Sequence, residues 1–216
     1  MDKALLQENI AKRVAQELMD GQYINLGIGL PTKVADFVPK GINVTLHAEN
    51  GFVGLGPAPR PEDVDPTIIN AGGEPSTIMP GGAFFDSATS FGIVRGGHLD
   101  MTVLGAMQVD EKGNIANYMI PGKLVPGMGG AMDLLIGAKK VVVAMEHTAK
   151  GNHKILKECN LPVTAQGAVD LIVTEMAVIE VTPEGLLLKE LRNDYSLSDV
   201  LAATEANLIV GEGLKS

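Results

Sequence analysis

The chain has one cysteine, Cys159, and no tryptophan in 216 residues. A single thiol excludes an intrachain disulfide and a cysteine-built metal cage, which fits a reducing compartment, and its ordinary use is as a small apolar filler. Histidine is scarce as well. His47, His98, His147 and His153 form neither an i,i+4 pair nor an HExxH arrangement, so no metal site is expected. No apolar run approaches the roughly 20 residues that a bilayer requires. The N-terminal stretch MDKALLQENIAKRVAQELMDGQ mixes acids and bases and lacks the apolar core of a signal peptide, so a cytoplasmic location is expected. Positive charge is short too. Lys and Arg number 17 against 26 Asp and Glu, a net charge of −9. That balance argues against nucleic acid and anionic membranes as partners. A phosphate-bearing ligand would need backbone N–H groups, local lysines such as Lys123, or a partner subunit. The GxxxxGK[ST] phosphate loop and the GxSxG nucleophile elbow are both missing, and Gly27 and Gly29 lack the third glycine of a dinucleotide fingerprint.

What the chain does have is glycine, 26 residues, and proline, 12, placed as punctuation around short apolar runs. Leu5, Leu6, Ile10, Val14, Leu18 and Met19 recur at three- and four-residue spacing and predict one amphipathic helix closed by Gly21. Tyr23 to Leu26 predicts a strand, and Pro31 sits early in a predicted helix from Thr32 to Val38. Ile42 to His47 predicts the next strand. PAPRPEDVDP (57–66) carries four prolines and is expected to be a surface excursion. Further strands are predicted at Met101 to Leu104, Lys140 to Met145, Leu171 to Val173, Ala177 to Val181, Leu186 to Leu191 and Asn207 to Val210. TPEG (182–185) reads as a hairpin turn and Leu197 to Thr204 as a helix. The expected architecture is one α/β domain over residues 1–216, an open and mostly parallel sheet with flanking helices and antiparallel additions. Its functional loops should lie at the carboxyl ends of strands.

Two stretches stand out against that frame. In LHAENGFVGLG (46–56), Glu49 is the only formally charged side chain between Lys40 and Arg60. Asn50-Gly51 could simply turn a hairpin and leave Glu49 in water, or the turn could present the carboxylate to a ligand. In GMGGAMD (127–133), the amides of Gly129, Gly130 and Ala131 would form an anion-facing nest if Ala131 begins a helical turn; a tight packing turn is the alternative. Glu146-His147, after the apolar run KKVVVAM, sits either near a site or in an ordinary polar loop.

LHAENGFVGLGP closely resembles the active-site signature of the family I coenzyme A transferases, whose Ser-Glu-Asn-Gly tetrapeptide carries a catalytic glutamate. NLGIGLPT (25–32), IINAGGE (68–74), FFDSATSF (84–91), VRGGHLD (94–100), QVDEKGNIANYMIPGK (108–123), GMGGAMDL (127–134) and VVVAMEHTAKGNHKI (141–155) are similar to the β subunits of bacterial acetate or butyrate:acetoacetate CoA-transferases. The resemblance covers nearly the whole chain and implies the CoA-transferase, NagB-like fold. It also implies that an α subunit supplies part of the site, since eukaryotic succinyl-CoA:3-ketoacid transferases carry both halves on one polypeptide. Carried over residue by residue, Glu49 is the expected nucleophile, Gly130 the expected backbone oxyanion donor and Asn25 the side chain that orients the glutamate. Asn50 and Gly51 would shape the turn, with Gly129 and Ala131 beside the substrate. The expected reaction moves CoA between an acyl-CoA and a short carboxylic acid, acetoacetate with acetate or butyrate, through a glutamyl-CoA thioester. Coenzyme A is then a co-substrate, and no cofactor is expected.

Two departures matter. Ala48 stands where the family pattern usually has serine, and Gly73 where some relatives carry lysine. An inactive or regulatory subunit of the same fold, and a transferase for another acid, are the alternatives these departures leave open; a sugar-phosphate isomerase or sugar-binding module on a similar fold is more distant.

Overall fold

The computed structural model describes residues 2–123, 125, 127–192 and 195–215. Pro126, just before the stretch GMGGAMD, lies outside them. In chain order the first half contains α1 (Lys3–Ala15), β1 (Tyr23–Leu26), a 3-10 helix (Leu30–Phe37), β2 (Thr45–Ala48), β3 (Phe52–Leu55), β4 (Ile78–Phe84) and α2 (Ser87–Arg95). Next come β5 (Met101–Leu104), β6 (Gln108–Asp110), β7 (Ile115–Ala116) and α3 (Ala131–Gly137). β8 (Val141–Ala144), β9 (Thr148–Ala149), β10 (Asn152–His153), β11 (Ile155–Leu156) and β12 (Leu171–Val173) follow. The chain closes with β13 (Ala177–Thr182), β14 (Gly185–Leu191), α4 (Leu197–Ala203) and β15 (Leu208–Lys215).

Ten strands form one sheet in the order β15-β14-β13-β12-β8-β5-β1-β2-β3-β4. Its centre, from β12 through β8, β5 and β1 to β2, is parallel. Antiparallel pairs extend both sides, β2-β3-β4 on one and β12-β13-β14 on the other, and β15 adds in parallel at the edge. The expected open α/β sheet with antiparallel additions is therefore present.

Successive side chains on a strand point to opposite faces, and this alternation sorts the core. Val141, Val143 and Met145 join the cluster containing Leu134 and Leu135 of α3, Val94 of α2 and Val200 of α4. Val142 and Ala144 join the opposite cluster, with Ile10, Ala11 and Val14 of α1 and Val34 of the 3-10 helix. The run VVVA is apolar throughout because it is covered on both faces.

Some expectations need correction. The first helix ends at Ala15, capped by Gln16, and not at Gly21. Glu17 and Leu18 continue only as tight turns, their N–H groups bonding three residues back to Val14 and Ala15. Gly21 instead supplies the left-handed turn (φ 77°) that leads into β1. The helix expected from Thr32 is a 3-10 helix from Leu30, and the strand expected from Ile42 begins at Thr45.

α2, β3 and β4 were not foreseen. β4 contains Pro80 and two glycines, tolerable because it is an edge strand. Gly82 in β4 also lies close against β3: a Cβ on Gly54 would lie 2.8 Å from the Gly82 Cα. α2, with the sequence SATSFGIVR, has weak intrinsic helix propensity. It is held by the Asp86 cap, whose carboxylate accepts from the Thr89 N–H at 2.7 Å, and by the burial of Ser90 and Val94.

Candidate active site

Asn25 is fully buried on β1, the strand between β2 and β5. Register places it opposite His47 on β2 and Thr102 on β5. Its amide Nδ2 donates to the His47 carbonyl at 3.3 Å and to Glu49 Oε2 at 2.9 Å, while its Oδ1 accepts from the Thr102 hydroxyl at 3.3 Å. Glu49 lies just past β2 and two residues beyond His47, so it is displayed on the same side as Asn25. The carboxylate is half-buried at the carboxyl edge of the parallel strands, and among the described residues Oε1 accepts no hydrogen bond.

The turn that presents Glu49 is rigidly built. Asn50 Nδ2 donates to the Ile69 carbonyl at 2.8 Å, tying the turn to the loop before β4. The Gly51 N–H donates to the Ala48 carbonyl at 3.0 Å, and the Gly51 carbonyl accepts from the Phe85 N–H at 2.8 Å. Gly51 has φ 136°, and a Cβ there would meet the Phe85 carbonyl oxygen, which leaves glycine as the residue that fits.

Across from Glu49 stands the second glycine stretch. Gly129 (φ 53°) followed by Gly130 (φ −84°) gives the alternating backbone of an anion nest. Gly130 packs against Phe91 of α2, and a Cβ built on it would lie 3.5 Å from Glu49 Cγ. Among the described residues the N–H groups of Gly129 and Gly130 have no partner, whereas that of Ala131 donates to the Met128 carbonyl at 3.1 Å. The nest therefore narrows to the two glycines. Ala131 begins α3, as the nest reading required, but contributes wall and not a free donor. Glu49, Gly129, Gly130, Ala131, Gly105 and Asn117 line one cleft of about 500 Å³.

Sequence reasoning missed several supporting residues. Thr102 anchors Asn25 and Phe91 backs Gly130. His47, whose Nε2 lies 2.9 Å from the Ser90 hydroxyl, stacks on Phe85 beneath the turn. Burial pushes the His47 imidazole down to about 4, so it is neutral near pH 7. Only strand register could have paired Asn25 with Thr102.

The pair Glu146-His147 resolves into structure. His147 is fully buried, with Nδ1 and Nε2 each 2.9 Å from a hydroxyl, those of Thr174 and Thr204. Burial, then the nearby charges of His153 and Lys154, pushes it to about 4. Cys159 is half-buried, and burial with the neighbouring Asp110 carboxylate pushes its thiol up to about 12, out of range for a nucleophile. Among the described residues no group of three or more acidic, histidine or cysteine side chains could hold a metal, and no helix is long and apolar enough to cross a membrane.

A half-buried carboxylate oriented by a buried amide shares its cleft with two backbone N–H groups that have no partner among the described residues, groups of the kind that acyl transfer uses. The family comparison agrees. The coenzyme A transferase model matches residues 7–203, and the chain belongs to that family. It is 53% identical over 211 residues to the beta chain of the acetate CoA-transferase of Escherichia coli K12, covering 97% of this chain and 96% of that one. It is 50% identical over 206 residues to one of the chains of the succinyl-CoA:3-ketoacid coenzyme A transferase of Helicobacter pylori strain 26695, covering 95% and 99%. Among solved structures, an acyl-CoA transferase of E. coli O157:H7, described as a thioester complex with CoA, superposes with a TM-score of 0.78 at 22% identity. That superposition covers 97% of this chain and 42% of the other, and it establishes the fold. The chain is a CoA-transferase of the β-subunit type.

Proposed function

We propose that this chain, paired with an α subunit, moves CoA between an acyl-CoA and a short-chain carboxylic acid, acetoacetate with acetate or butyrate, by ping-pong exchange through a glutamyl-CoA thioester on Glu49. The observation that carries the reading is the Glu49 carboxylate held at 2.9 Å by a buried amide, its other oxygen accepting no hydrogen bond among the described residues, in one cleft with Gly129 and Gly130. The unengaged Oε1 attacks the thioester carbonyl. The tetrahedral oxyanion takes N–H donation from Gly129 and Gly130 and collapses to a mixed anhydride with release of CoA thiolate. The thiolate then attacks the glutamyl carbonyl, the acyl group leaves as a free carboxylate, and Glu49 holds CoA as a thioester. A second acid reverses the steps. A carboxylate nucleophile suits this task because both of its adducts keep the energy of the thioester.

The multi-chain make-up that the relatives' names imply and the acidic balance of the chain support an α partner that completes the CoA site. No cofactor enters the scheme. Incubating the αβ complex with acetoacetyl-CoA and no acceptor, followed by peptide mapping, tests it: a CoA adduct on the Glu49 peptide that disappears on adding acetate is expected. A folded, assembled complex that forms no adduct would favour the inactive-subunit alternative.

Asn25→Ala is expected to lower kcat/KM by about 10- to 100-fold, the worth of a hydrogen bond to a charged group at roughly 1.5–3 kcal/mol. The adduct should still form on Glu49, only more slowly, as rapid-quench mass spectrometry would read. Ala48→Ser places a hydroxyl in the wall beside Glu49. A bond worth about 0.5–1.5 kcal/mol predicts a change in turnover of about two- to tenfold with unchanged assembly, measured by steady-state kinetics.

A further inference from the structure

Glu49 is bracketed by two ties to one short segment of the chain. Two residues after it, the Gly51 carbonyl accepts from the Phe85 N–H at 2.8 Å. Two residues before it, His47 Nε2 lies 2.9 Å from the Ser90 hydroxyl. Phe85 stands immediately before the Asp86 cap of α2, and Ser90 lies within that helix, so both ties end on the same element. The Phe85 tie alone would leave α2 free to pivot about it. The Ser90 tie, more than a helical turn further on, fixes the angle of α2 to β2.

The far side of α2 holds the glycine amides. Phe91, next after Ser90, packs on Gly130: a Cβ built there would lie 3.0 Å from the ring. Val94 shares a core cluster with Leu134 and Leu135 of α3, and a Cβ on Gly137 would meet the Val94 carbonyl, so the two helices are in backbone contact. Gly130 is the residue that caps α3. A continuous packed path thus runs from the Glu49 turn through His47, Ser90 and α2 to the Gly129–Gly130 amides.

His47 is a costly residue for a purely space-filling role. The ring is buried, and its Nδ1 has no partner among the described residues, so its bond to Ser90 is the one it makes. Ser90 is fully buried too, and among the described residues its hydroxyl bonds nothing else. An apolar ring could stack on Phe85 and meet Tyr23 without leaving a nitrogen orphaned. It could not bond to α2.

We propose that His47 and Ser90 are positioning residues, and that their hydrogen bond sets the spacing between the Glu49 carboxylate and the Gly129–Gly130 amides. The proposal rests on the transferase reading with Glu49 as nucleophile. The oxyanion develops on the carbon that Glu49 attacks, and its donors must then stand at about 2.7–3.1 Å. Spacing between β2 and the start of α3 therefore acts on the chemical step more than on substrate binding.

The test uses the αβ complex, with rapid-quench mass spectrometry reading how fast saturating acetoacetyl-CoA places CoA on Glu49. Ser90→Ala and His47→Phe are each expected to lower that rate by about tenfold, part of the roughly 100-fold that a 1 Å misplacement costs, with KM changed by less than about twofold. The double variant should lose no more than either single one, because the same bond is removed. His47→Gln, whose amide reaches about as far as Nε2, should recover most of the rate lost in His47→Phe. If His47→Phe does not assemble, His47→Gln with and without Ser90→Ala reads the same bond. Variants that lower the urea midpoint but leave the saturated rate unmoved show a structural role only and overturn the proposal, as do losses that multiply in the double variant. Failure of the native complex to form the adduct overturns the transferase reading itself, so the two failures are told apart.

Discussion

Glu49→Gln in the assembled complex is expected to lower CoA exchange by about 10⁴-fold or more, while the complex folds and assembles as before. Loss of a covalent nucleophile typically costs this much, because the remaining groups can only bind and polarise. Glutamine keeps the shape of the side chain, and its carbonyl oxygen can accept the Asn25 amide hydrogen bond that Oε2 accepts at 2.9 Å, so the β2 turn has no reason to move. Its amide nitrogen, however, is no nucleophile toward a thioester. Intact-mass measurement should show the CoA adduct on the native chain and none on the variant. A variant that still accumulates CoA on another residue, or that exchanges CoA at more than about a hundredth of the native rate, would sink the assignment.

The second large effect concerns stability in acid. His47 and His147 are both buried with folded-state values near 4, against 6.5 for an unperturbed imidazole. Between those values the unfolded chain binds protons that the folded chain excludes, so stability falls as pH falls. Their contribution is fully present above about pH 6.5, declines through the window down to 4, and changes no further below it. Each shift corresponds to about 3 kcal/mol at most, and two together would be a large part of the stability of an ordinary domain. Urea midpoints measured between pH 7.5 and 4.5 should fall steeply, with a slope approaching two protons. His147→Asn should lower that slope toward one. A flat profile over this range would refute neutral burial of both rings.

The two predictions depend on different kinds of knowledge. The proposal at Glu49 starts in the chain: a lone carboxylate in an uncharged, glycine-rich stretch is unusual by itself, and its neighbours resemble one family signature. The parallel strands were legible as well, because a strand covered on both faces must be apolar along its whole length, as in VVVA and LIV. What failed was local punctuation. Gly21 looked like a helix terminus but serves the connection to β1, and no pattern of apolar residues marks α2 or β4. Both are held by their surroundings, α2 by packing and its Asp86 cap, β4 by its place at the sheet edge.

By itself, then, the sequence determined the α/β class, the family, the carboxylate and the glycine stretches, since these follow from residue types and their spacing. Tertiary structure alone decided which groups meet. Strand register set Asn25 between His47 and Thr102 and beneath Glu49, more than 20 residues along the chain. The packing of α2 on α3 brought Phe91 and Gly130 up to the carboxylate, and the hydrogen bond from Ala131 to Met128 reduced three candidate donors to two. The reason is physical: hydrophobic pattern and backbone propensity act over a few residues, whereas a site is an intersection of distant segments whose mutual placement is fixed only when the sheet forms and its two cores close.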